Sequence, residues 1–324
     1  MRGFINALCT MLLVVCAQRA VAASEELKIE TEWGNIYATL SVPEGGGDTA
    51  FVIVAGSGAT DRDGNSLSAG LKTYSYSMLS DELVKGGYAV LRYDKRAIGE
   101  SVIPQADVPN LLFEDYVDDA ELVVEFLRSR GFRRVIMAGH SEGGLISLAV
   151  AERQRVVLDG IVLLCAPGYA MDSILLTQLG AQLMPANIAL MFQAERVIGR
   201  LKRGERVAES EIPQALLGLF HPVVQPFLIS EMQYDPQALI AQCDEPILIV
   251  SGGRDVQVSE ANGEALLKAN PGAVHRVFEY MTHVLKDSNT EDRVQQILSV
   301  YANSNIPITE GLSSTIIEFV NNIK

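Results

Sequence analysis

The 324-residue chain is poor in the residues that announce several common functions. It has four histidines (His140, His221, His275 and His283) and four cysteines. So few histidines exclude a histidine-rich metal store, and no metal-ligand spacing occurs, so neither a metal nor another cofactor is expected. Cys9 and Cys16 fall in an N-terminal apolar stretch, which leaves Cys165 and Cys243. Two cysteines do not make a disulfide framework in a chain this long. Positive charge is scarce too: 26 Lys and Arg stand against 40 Asp and Glu, a formal net charge of −14. That sign repels a polyanion, so nucleic acid is not an expected partner. No run approaches the roughly 18 apolar residues of a bilayer span, so no stable membrane anchor is expected. Internal repeats and low-complexity tracts are missing as well. What remains, 48% hydrophobic and 20% charged, is an ordinary globular composition.

The first 22 residues read as a leader rather than as part of a fold. Arg2 is followed by the apolar stretch Ala7 to Cys16 and then by Ala20-Val21-Ala22, a small-x-small cleavage pattern. The expectation is a soluble exported protein, periplasmic or secreted, cut near Ala22. Losing Arg2 and Arg19 takes the charge to −16.

Beyond the leader the pattern alternates. Strand-like segments around the turn at Gly34 precede the apolar run Ala50 to Val54. Helix Tyr76 to Lys85, strand Tyr88 to Tyr93 and helix Asp115 to Arg130 follow, the last with Val117, Leu122, Val123 and Phe126 as its apolar stripe. Strand Arg134 to Ala138, helix Gly143 to Arg153 and strand Gly160 to Leu164 continue the series. Continuous apolar strands separated by amphipathic helices predict a mostly parallel sheet covered on both faces. The alternation stops after Pro167, turns helical from Ala170 to about Gln242, and resumes at Pro246 to Val250. A helix near Ala261 to Lys268, a strand Val274 to Tyr280 and a closing helix Leu312 to Ile323 complete it. The organisation is therefore a leader (1–22), a first part of an α/β core (23–169), a helical cap insertion (170–242) and a second part of the core (243–324).

The chemistry concentrates at strand ends. Gly139-His140-Ser141-Glu142-Gly143 is G-x-S-x-G set directly between a strand and a helix. A strand turning at once into a helix strains the serine backbone, so the residues two before and two after it must lack side chains. The helix N-terminus then favours developing negative charge. A nucleophilic serine needs a base and an acid, which follow it in that architecture in the order acid, then histidine. His221 lies in the helical insertion and His275 within a strand, whereas His283 follows a strand in a loop. His283 is the candidate base. The segment Ser251 to Asp255 directly follows the strand ending at Val250, and Asp255 is the candidate acid; Asp287 breaks the order, and Asp244 and Glu245 precede the strand. The two oxyanion amides are expected from Glu142, next to the serine, and from Ser57, in the loop Ala55 to Asn65, with Gly58 close behind. Cys165 reads as an inert core thiol.

These residues resemble the α/β-hydrolase family, and more closely bacterial hydrolases with the loop Gly-Ser-Gly-x-Thr-Asp-Arg-Asp-Gly-Asn after the first buried strand. Such proteins are grouped as esterases or serine aminopeptidase-like hydrolases. The resemblance runs through Gly56 to Asn65, Leu91 to Arg96, the turn at Ser141, Gly252 to Asp255 and His283. It departs at Ala97, where glycine is usual. It implies an α/β-hydrolase fold, and that Asp61-Arg62-Asp63 pin the oxyanion loop by ion pairs.

The leading expectation is a carboxylesterase-type serine hydrolase acting on small-molecule esters of small to medium acyl groups. Gly58, Leu183 and Met191 are the candidate substrate-binding residues. Ser141 argues against dehalogenase and epoxide-hydrolase chemistry, which needs a carboxylate there. An aminopeptidase-like hydrolase is the alternative, with Glu195, Glu205 or Glu209 to hold an amino terminus. A catalytically silent binding protein is the reading from a different class.

Overall fold

A computed structural model describes residues 23–323. The leader expected over residues 1–22 lies outside them. β1 (Ala23–Thr31) and β2 (Gly34–Val42) form an antiparallel ribbon about Gly34, with Ile29 opposite Ile36. β3 (Thr49–Val54), β4 (Ala89–Tyr93), β5 (Arg134–His140), β6 (Gly160–Leu164), β7 (Ile247–Gly252) and β8 (Val274–Phe278) complete one eight-stranded sheet. Its order is β1-β2-β4-β3-β5-β6-β7-β8, antiparallel through β4 and parallel from there on.

The unbroken apolar strands are explained by two cores. Along β3, Ala50, Val52 and Val54 enter one, while Phe51 and Ile53 enter the other. Successive strand side chains point to opposite faces, so a sheet covered on both sides needs apolar residues at every position. α2 (Phe113–Ser129) and α3 (Glu142–Arg153) supply the first face; α1 (Ser75–Lys85) and helix Leu312–Asn322 supply the second. Burying each Val, Leu, Ile or Phe contributes about 1.5–3 kcal/mol. In α2 the buried stripe is Phe113, Val117, Ala120, Val124 and Leu127, spaced by three and four. Leu122, expected on that stripe, is exposed.

Between β6 and β7 the chain leaves the sheet. α4 (Met171–Leu183) and α5 (Ile188–Lys202) pack on the shorter helical segments that follow, around Leu175, Leu179, Met191, Val197, Phe220 and Met232. Leu239 and Ile240, from helix Pro236–Ile240, already belong to the core of the sheet. The excursion therefore has its own apolar centre and rejoins the sheet before β7.

Candidate active site

The parallel strands bring the chemistry to one edge of the sheet. β5 ends at His140 and α3 starts at Glu142, so Ser141 alone makes the turn, at φ 53 and ψ −123. A side chain at Gly139 would strike the Gly143 carbonyl, and one at Gly143 the Val54 carbonyl. That is the steric reason for glycine two residues before and after the serine. The Ser141 amide donates to Leu164 O at 2.9 Å, which ties the turn to β6. Strained conformations of this kind cost of order 1–3 kcal/mol and persist only where the surroundings fix them.

Asp255 and His283 meet at the same edge. The His283 Nδ1–H donates to Asp255 Oδ2 at 2.7 Å. The other carboxylate oxygen accepts from the Gln257 and Val258 amides at 2.8 and 2.9 Å. Both residues are buried. The carboxylate is thus fixed on both oxygens, and the contact sets the imidazole tautomer with Nε2 free to accept a proton. Ser141 and His283 line a common cavity. Ser141 Oγ makes no hydrogen bond among the described residues, and such contacts commonly tighten only around substrate. Cys165, at the end of β6, sits against this pair: its sulfur and donor atoms of Asp255 and His283 all lie within 4.8 Å of one another. Burial, and then the Asp255 charge, push the thiol well above its ordinary range. Cys165 and Cys243 are both free.

His140, which the sequence reading left without a role, links three loops. Its Nε2 lies 2.7 Å from His283 O, and a carbonyl only accepts, so Nε2 carries the proton. Nδ1 then accepts from the Tyr76 hydroxyl at 2.7 Å, and Tyr76 Oη accepts from the Gly56 amide at 3.1 Å. Desolvation, aided by His283, lowers the His140 pKa to about 3. The ring is neutral and serves as a strut.

The loop after β3 is pinned by charge, as the resemblance implies. Arg62 bonds Asp94 at 2.6 Å and also reaches Glu26 and Glu100; Asp63 pairs with Arg92. Asp61 Oδ1 closes the loop on the Asp63 and Asn65 amides. Gly56 is unavailable as an oxyanion donor because its amide is spent on Tyr76. Ser57, Gly58 and Glu142 all line a cavity with Ser141. The Glu142 side chain turns away to Lys95, which is buried, bonds Glu142 at 2.5 Å and Gly56 O at 2.8 Å, and lies over the Tyr116 ring. At the next turn Ala97 adopts φ 68, the left-handed conformation that glycine takes without cost.

Two cavities meet at Ser141. One, of about 210 Å³, carries His283, the hydroxyl-bearing Thr60, Ser66, Thr73 and Ser75, and Arg293 and Tyr301. The other, of about 380 Å³, runs under the helical insertion among Met171, Ile174, Leu175, Leu219, Phe227 and Leu228. Leu183 and Met191 are not among its walls: both pack into the insertion's own core. Glu195, Glu205 and Glu209 also miss the cavity. Glu195 is exposed, Glu205 pairs with Arg203 on the surface, and Glu209 lies near His221. Besides Glu142, which is paired with Lys95, the cavity wall carries the carboxyl of Glu231, whose only sequence signal is one acid in the mostly apolar run Phe227 to Met232. His275, on β8, bonds Ser251 Oγ at 2.9 Å.

This sheet order and this strand-turn-helix serine define an α/β-hydrolase. Residues 70–285 match the family described as serine aminopeptidase, S33, and the chain belongs to that family. A relative, Esterase EstD of Thermotoga maritima, is 29% identical over 255 residues, which cover 76% of this chain and 57% of that protein. The chain thus matches under two thirds of that relative's length. Among solved structures, Est1E from Butyrivibrio proteoclasticus with ferulic acid bound superposes with a TM-score of 0.59 at 17% identity, covering 92% of this chain and 98% of the other. Proline iminopeptidase from Mycobacterium smegmatis superposes at 0.60 and 13% identity, with the same coverage. At those identities the likeness is one of fold.

Proposed function

We propose that the protein hydrolyses carboxylic esters of small to medium acyl groups through an acyl-enzyme on Ser141. The observation that carries this reading is the 2.7 Å His283–Asp255 contact at the sheet edge that also presents Ser141. In the reaction, Ser141 Oγ attacks the ester carbonyl while His283 Nε2 takes its proton. The amides of Ser57 and Glu142 hold the oxyanion, and Asp255 stabilises the imidazolium. The imidazolium returns the proton to the departing alcohol, and water then releases the acid by the same steps.

Proton return assigns the two cavities. The general acid must stand beside the leaving oxygen, and His283 lines the hydroxyl-rich cavity but not the apolar one. The alcohol half of the ester therefore occupies the polar cavity, and the acyl half lies under the insertion, which acts as a cap. With residues 1–22 as an export leader, the reaction takes place outside the cytoplasm; the N-terminal residue of the protein recovered outside the cell tests that part. Nitrophenyl esters of rising chain length, run beside aminoacyl amides, test the activity. Ester turnover should dominate, and Ser141→Ala should lower it by roughly 10³- to 10⁶-fold in a folded protein. Preferred cleavage of the amides, or a Ser141→Ala protein that keeps its activity, overturns the proposal.

A further inference from the structure

Glu231 ends helix Gln225–Glu231 and faces the acyl cavity under the cap, yet it is 1% exposed. Its side chain makes no hydrogen bond among the described residues, and Oε1 is fully enclosed without a partner. Leaving a buried polar atom unpaired costs about 1–3 kcal/mol, so its retention in a largely apolar cavity needs a reason. Building on the esterase reading, we propose that Glu231 recognises a hydroxyl group carried by the acyl half of the substrate.

The charges around it select that chemistry. The neighbouring cation, Lys95, is already bonded to Glu142 and to Gly56 O. Burial, and then the Glu142 charge, push the Glu231 carboxyl well above its ordinary range, against the opposing pull of Lys95. In its neutral form, which this shift favours, a carboxyl presents one donor and one acceptor, and a hydroxyl offers the matching acceptor and donor. An ammonium group would enter a site where Lys95 already supplies a positive charge. A carboxylate would be repelled by Glu142. An unsubstituted alkyl chain would fill the cavity and leave Glu231 unpaired, which is how a site built for a hydroxyl rejects the analogue lacking it.

The test uses nitrophenyl esters of alkanoic, ω-hydroxyalkanoic and ω-aminoalkanoic acids, matched from four to eight carbons. Each kcat/KM is divided by the same protein's value for nitrophenyl acetate. In the wild type, at one chain length, the hydroxyacyl ester should exceed the alkyl ester by roughly ten- to a hundredfold, the factor set by leaving one buried group unpaired, with the aminoacyl ester poorest. Glu231→Gln, which keeps a neutral donor and acceptor, should preserve that order; Glu231→Leu should bring the hydroxyacyl-to-alkyl ratio to one or below. A wild type without hydroxyl preference at any length, or one that prefers the aminoacyl ester, overturns the proposal, as does a preference that survives in Glu231→Leu. The wild-type comparison decides the matter even if the leucine variant does not fold. Absence of hydrolysis of every ester, acetate included, would instead overturn the esterase reading itself.

Discussion

At the scale of single residues, the arrangement depends on groups that take no part in the bond-making steps. The Tyr76–His140 pair joins the oxyanion loop, the serine turn and the His283 loop through three hydrogen bonds of 2.7–3.1 Å. Tyr76→Phe removes the acceptor of the Gly56 amide and the donor to His140 Nδ1, leaving both buried groups unpaired. The expected result is a loss of about 1–3 kcal/mol in denaturant unfolding, with a fall in kcat larger than the change in KM. An unchanged kcat would show that the strut does not position the oxyanion loop. Ser141, Asp255 and His283 were legible in the sequence because each sits in the turn or loop that leaves the end of a parallel strand, where local pattern fixes the location. Glu231 was not. Its approach to Ser141 depends on how a seventy-residue excursion folds back, and helical periodicity does not encode that.

At the scale of elements, the same limit explains the misplaced pocket residues. Leu175, Leu179 and Leu183 recur every fourth residue and so share one face of α4, but one face does not say which end meets the sheet. The fold answers it: Leu175, a member of the cap's core, also lines the acyl cavity, while Leu183, two turns on, packs against that core away from the cavity. Leu175→Trp should therefore shift the preferred acyl length to shorter esters. Leu183→Trp should lower thermal stability by about 1–3 kcal/mol through overpacking without altering the chain-length profile. A profile moved by Leu183→Trp and untouched by Leu175→Trp would reverse this account of the cap. The α/β sheet itself was readable because a doubly covered strand must be apolar at every position. The buried face of α2 was misjudged by one residue at Leu122, since an apolar residue beside the stripe looks like part of it.

At the scale of the whole molecule, two buried groups give stability opposite slopes with pH. His140 is neutral when folded, with its pKa lowered to about 3, and ordinary when unfolded. Above about pH 6.5 both states are neutral and its contribution is fully present; below that the unfolded chain takes up the proton first. Stability is then lost by about 1.4 kcal/mol per pH unit as the pH falls toward 3. Glu231, raised above its ordinary value, acts the other way: its contribution is present in acid and is lost as the pH rises. Urea unfolding of His140→Gln between pH 6 and 4 should be shallower than that of the wild type by about 1.4 kcal/mol per unit. Equal slopes would mean that the imidazole is not held neutral. The central claim, that this fold presents Ser141 as a nucleophile, is tested most directly by covalent labelling. An organophosphonate should add once per chain, on the peptide containing Ser141, with no adduct in Ser141→Ala. An unlabelled wild type, or an adduct of equal yield in the alanine variant, would contradict it.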